Sequence, residues 1–67
     1  MKNNAVEVIR CYRGYRLVLE FQEGVNDAWV RLYDLGSRLP LVYSRTMPKA
    51  DAWAEADRFV ANGPSIA

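Results

Sequence analysis

The stretch Thr46–Pro64, TMPKADAWAEADRFVANGP, is the one segment whose pattern is consistent from end to end. Thr46 offers a hydroxyl to cap free N–H groups, and Pro48 suits a first helical turn, where its missing N–H would be unpaired anyway. Asn62-Gly63-Pro64 is a stop signal, with glycine for a left-handed C′ position and then a proline that cannot continue a helix. The spacing predicts a helix over about 47–62. Ala52, Trp53, Ala56, Phe59 and Val60 recur at helical spacing and make its apolar face. Asp51, Glu55, Arg58 and Asn62 fall opposite, with Glu55 and Arg58 spaced to pair. An isolated helix of this length is marginal in water, so Trp53 and Phe59 imply a surface to pack on. Trp53 is expected to be buried against Leu17, Leu19, Val30 or Leu32.

The chain upstream supplies that surface. From Ala5 to Gln22 it is rich in Val, Ile, Tyr, Leu and Phe, a strand composition too long for one strand of a small domain. Arg13-Gly14 near the middle reads as a two-residue hairpin turn. The alternative is a single bent strand with Gly14 at a bulge. Tyr15, Leu17, Leu19 and Phe21 alternate with Arg16, Val18 and Glu20, and the first set is the core face. Glu23–Asp27 is a turn cluster. Ala28–Leu35 is a strand with Ala28, Val30 and Leu32 on one side and Trp29, Arg31 and Tyr33 on the other. Asp34–Pro40 is a longer connection, and Leu41–Arg45 is a last strand running into the helix.

The fold class expected is therefore α+β: an antiparallel meander of three to four strands, β-β-β-β-α, packed on one C-terminal helix. Residues 1–4 are polar and expected to fray. With 67 residues the chain makes one domain, and 51% hydrophobic residues suffice for a small core. The net charge is +1, and arginine dominates the basic set, with only Lys2 and Lys49 as lysines. The acidic residues lie mainly in the loops and helix. No run of apolar residues is long enough for a transmembrane helix, and the N-terminus is too polar for a signal peptide, so a cytoplasmic protein without membrane partner is expected. Cys11 is the only cysteine, which leaves no internal disulfide, and in a strand it reads as a small buried hydrophobe.

Catalytic chemistry is poorly served. The chain has no histidine, which removes the commonest general base and the commonest transition-metal ligand. Its four glycines are scattered and form no phosphate loop. Asp51 and Glu55 lie on the solvated side of the helix. The expectation is a non-enzyme with no cofactor and no metal.

The open face of the sheet carries the unusual residues. Arg16 comes from the second strand, and Trp29, Arg31 and Tyr33 from the third. Tyr43 and Arg45 join them if the last strand's register turns Val42 and Ser44 inward, and a slip of one residue would reverse this. Arginine interleaved with aromatic residues has three readings. Cross-strand cation–π contacts stabilise an exposed sheet. Trp, Tyr and Arg are enriched at protein interaction hot spots. Stacked bases and phosphates would also meet such a face.

Trp29–Val60 resembles the three-strand-plus-helix DNA-binding modules at the N-terminus of phage-type tyrosine integrases, the AP2-like arm-binding class. The similarity rests on Trp29 and Tyr33 on one strand, a turn, a strand ending at Thr46, then Ala50 and Trp53 on the helix. The resemblance implies duplex DNA read by the sheet face, with Arg16, Arg31 and Arg45 as contacts. The near-neutral charge departs from that pattern. The expectation is thus a small binding protein, of the accessory or inhibitor kind common on phages and mobile elements, with a protein partner first and DNA second. Two copies pairing through the same face are a further possibility.

Overall fold

The computed structural model describes residues 5–64, so the expected fraying of 1–4 lies outside the described residues. The strands are β1 (Ala5–Tyr12), β2 (Tyr15–Gln22), β3 (Asp27–Asp34) and β4 (Leu41–Pro48), and the helix α1 is Lys49–Asn62. They form one four-stranded antiparallel sheet in the order β1-β2-β3-β4, with the helix on one face. The α+β meander expected from the periodicities is the observed architecture.

Local chemistry sets the turns. Tyr12 pairs with Tyr15 across the Arg13-Gly14 turn, and both turn residues have positive φ, at 45° and 85°. That is the backbone of a type I′ hairpin, whose twist matches the flanking strands. The bent-strand alternative is thereby replaced by two paired strands. In the β2–β3 turn Gly24 has φ 80°, and the Val25 N–H donates to the Gln22 carbonyl at 3.1 Å. The connection from β3 to β4 is pinned inside and out. The Gly36 N–H donates to the Asp34 carboxylate, and the Leu35 N–H donates to the Gly14 carbonyl at 2.9 Å. The second bond ties this loop to the β1–β2 turn at the same end of the sheet.

The core lies between sheet and helix. Leu17, Leu19, Ala28, Val30 and Leu32 meet Ala52, Ala56 and Phe59 there. Leu17, Leu19, Val30 and Leu32 are fully buried. Alanine at 52 and 56 gives the helix a low ridge over the sheet. The helix starts beside the β2–β3 turn, where the Lys49 N–H donates to the Asn26 carbonyl, and ends beside Tyr12. Its C-terminus closes at Gly63, whose N–H donates to the Phe59 carbonyl at 2.8 Å; the glycine has the positive φ expected, 85°, but its ψ of −173° is extended rather than left-handed helical.

Three expectations about the helix and its surroundings are corrected. Thr46 does not cap it, because β4 continues through Pro48, which occupies the cap position without a side-chain bond. Trp53 is not buried beneath it. It is 42% exposed and stacks on Phe21, with ring centroids 5.2 Å apart, while Val60 is also exposed. The buried stripe is narrower and centred on Ala52, Ala56 and Phe59, because a tryptophan over the sheet centre would hold the helix away from it. Cys11 is exposed rather than buried, since its β1 position faces away from the helix, opposite Arg16.

Candidate functional site

The face away from the helix is assembled by register. Residues directly opposite in antiparallel strands share a face. Trp29, Arg31 and Tyr33 of β3 stand across from Glu20, Val18 and Arg16 of β2, which in turn stand across from Glu7, Ile9 and Cys11 of β1. On the other side Trp29 pairs with Thr46 and Arg31 with Ser44.

Four of the six sequence-nominated residues therefore lie together: Arg16, Trp29, Arg31 and Tyr33. The other two do not. Tyr43 pairs with Leu32 and Arg45 with Val30, so both belong to the helix side. The cause is a bulge. Leu32 pairs with Tyr43 and Tyr33 with Leu41, leaving Val42 as the extra residue of β4. The extra residue shifts the alternation, and Ser44 turns to the open face, where the Trp29 indole N–H donates to its hydroxyl. Val42 stays half-buried against the core. The Tyr43 hydroxyl donates to the Glu55 carboxylate at 3.3 Å, and the Arg45 guanidinium lies 4.7 Å from the Tyr43 ring centroid. Burial and the neighbouring Glu55 charge raise the Tyr43 pKa above its ordinary value, partly offset by Arg45 and Arg58. Glu55 is also gripped by Arg58, the pair that the helical spacing implied.

Arg31 is the centre of the open face. One guanidinium nitrogen lies 3.2 Å from both Glu7 and Glu20, and another donates to the Tyr33 hydroxyl at 3.4 Å. The guanidinium carbon sits 4.2 Å from the Trp29 ring centroid. Only 17% of the Arg31 side chain is exposed, and Val18 beneath the same face is nearly buried. Glu7 and Glu20 are direct cross-strand neighbours, an arrangement of like charges that is unfavourable unless a cation bridges them. Arg31 is that cation. It is a structural clamp: its two terminal nitrogens are engaged by its own chain, while its Nε is buried with no hydrogen-bond partner among the described residues. Arg16, by contrast, is exposed and has no ion pair among the described residues.

Glu7, Glu20 and Ile9 are open-face residues that the sequence reading did not single out. The signal was present in the hairpin: once Tyr12 pairs with Tyr15, Glu7 must face Glu20 and Cys11 must face Arg16. Exposed apolar side chains ring the face, with Ile9, Trp29, Leu35 and Leu41 each about half exposed. Between them a shallow groove of about 340 Å³ runs from Glu7 and Ile9 to Leu35 and Pro40 at the loop. Among the described residues no group of three Cys, Asp or Glu side chains is placed to hold a metal ion, and no helix is long and apolar enough to cross a membrane. Compared with protein-family models, curated proteins and solved structures, the chain matches none.

Proposed function

We propose that the chain is a small non-enzymatic binding protein that docks on a larger protein partner through the open face of its sheet. The observation that carries this is a face that leaves large apolar side chains exposed along its length, Trp29 toward one end and Ile9, Leu35 and Leu41 toward the other, around an arginine already neutralised by two carboxylates. Clustered apolar surface of this kind marks interaction sites on small domains, and a tryptophan flanked by arginine is a frequent hot-spot pairing. DNA is the second reading. It is supported by exposed Arg16 across from Tyr33 on the face that also carries Trp29, and by the integrase-arm resemblance, and weakened by the Glu7 and Glu20 carboxylates, which present negative charge on the same face.

Affinity capture from the source cell with wild-type and variant chains tests the reading. Trp29→Ala with Leu41→Ser is expected to lose the partner; truncating a tryptophan that is 42% exposed costs about 2 kcal/mol, so circular dichroism checks that the variant is folded under the capture conditions. Asp51→Ala with Asp57→Ala, on the exposed side of the helix, is expected to retain it. Partner loss with the helix variant alone would move the site to the helix. A homodimer that disappears together with stability in the open-face variant would make the face a self-interface. Binding to random duplex that weakens steeply with salt would favour DNA.

A further inference from the structure

We infer that the partner enters the open face with an apolar–acidic segment: a large apolar side chain seated in the groove at the loop end, and a flanking carboxylate on Arg16. This rests on the protein-partner reading above and names the chemistry of that partner. The groove floor is Ile9 and Val18, and Leu35 and Pro40 line it on the loop side. Its two guanidiniums differ. Arg31 is held by Glu7 and Glu20, whereas Arg16 is exposed at the groove with no carboxylate among the described residues. An unpaired guanidinium beside an apolar depression favours a planar acid attached to an apolar body.

The surroundings carry the same sign. The Leu35-to-Gly14 backbone bond brings the β3–β4 loop, which carries Arg38, against the β1–β2 turn, whereas the Arg13 guanidinium lies over the Tyr12 ring on the helix side. Arg38 has no ion pair among the described residues. The carboxylate at the start of this loop, Asp34, accepts from the Gly36 N–H. The unpaired Arg16 guanidinium beside an apolar floor is complementary to aspartate or glutamate next to leucine or phenylalanine. A nucleic-acid backbone fits less well, because it brings no apolar side chain for Ile9 and Val18 and would meet Glu7 at the far end of the groove. The depression is too open to enclose a small molecule, and its volume is at the low end for ligand pockets, which suits a single anchoring side chain.

Selection of a random peptide library on the immobilised chain tests this, followed by fluorescence anisotropy of the selected peptides. The expected peptides place Asp or Glu beside Leu, Phe or Trp. Their affinity should fall roughly tenfold or more with Arg16→Glu, through loss of the charge match, and also with Leu35→Ser. Arg16→Gln serves as the milder variant, circular dichroism checks that each variant is folded, and Asp57→Ala should bind as wild type. Peptides without acid residues that still depend on Leu35 would overturn the apolar–acidic inference and leave the open-face reading standing. Peptides indifferent to Arg16, Leu35 and Trp29 would overturn both. A library that yields no peptide, or a random duplex bound more tightly than any peptide and lost with Arg16→Glu, would also overturn the inference, the latter in favour of nucleic acid.

Discussion

Phe59 and Trp53 both project from α1, and truncating each to alanine distinguishes the observed helix placement from the one with Trp53 at its centre. Phe59 is 3% exposed and meets Tyr12 edge-on at a centroid distance of 5.9 Å. Phe59→Ala removes a fully packed ring and leaves a cavity between helix and sheet, which costs about 3–5 kcal/mol. Trp53 is a little over half hidden, against Phe21. With about 250 Å² for the side chain and 25 cal/mol per Å², its burial is worth at most about 3.5 kcal/mol. Compaction of the unfolded chain removes roughly 10–40% of that, and water fills the vacated edge site, so no cavity term is added. Trp53→Ala should therefore cost about 2 kcal/mol. A chain of 67 residues has a total stability of about 3–10 kcal/mol. Phe59→Ala should lose about a third or more of that stability and have much the lower urea midpoint, while Trp53→Ala should unfold cooperatively at a modestly lowered midpoint with an unchanged slope. Urea titration followed by far-UV circular dichroism measures both. If Trp53→Ala proves as damaging as Phe59→Ala, the helix is rotated from the placement described above, and Trp53 belongs to the core.

Three further outcomes follow from the same geometry. Arg31→Met should cost about 1–3 kcal/mol, because it removes charged hydrogen bonds and leaves Glu7 facing Glu20; in that background Glu7→Gln should stabilise, and thermal melts that show no such rescue would reject the clamp. Gly63→Ala should lower the thermal midpoint markedly more than Gly24→Ala, since an added Cβ at 63 would lie 2.6 Å from the Tyr12 ring whereas 24 has open space, and both share the strain of positive φ. Tyr43 has its pKa raised above 10.0, so folding favours its protonated form; its contribution is complete below pH 10 and is lost as pH rises through the higher folded value. Wild-type stability should thus fall more steeply above pH 10 than that of Tyr43→Phe, and parallel alkaline melting curves would contradict this.

Much of the architecture was legible because it depends on neighbours in the chain. Positive φ at Gly14 and Gly63 answers to residue type, and the two-residue hairpin follows from Arg13-Gly14 between apolar runs. The alternation Leu17, Leu19 and Ala28, Val30, Leu32 is set by the pleat of each strand, and it placed the core face of β2 and β3 correctly. The acidic residues of the open face were harder to read. Glu7 and Glu20 are distant in sequence and meet only through strand pairing, so the carboxylates that neutralise Arg31 became visible once three strands were in register.

What the sequence by itself determined is the order and type of the elements, since φ preference, periodicity and capping act over a few residues. Only the tertiary structure decided which way β4 and α1 face. In LVYSRTMP both Val42 and Tyr43 suit a core, and the extra residue at the Leu32/Tyr33 step sent Tyr43 and Arg45 to the helix side. In the helix, Trp53 and Phe59 are both large and apolar, and the space above a close-packed sheet admitted Ala52, Ala56 and Phe59 while Trp53 went to the flank on Phe21. Register and rotation are settled by what the opposing surface can accommodate, and that surface does not exist until the strands have paired.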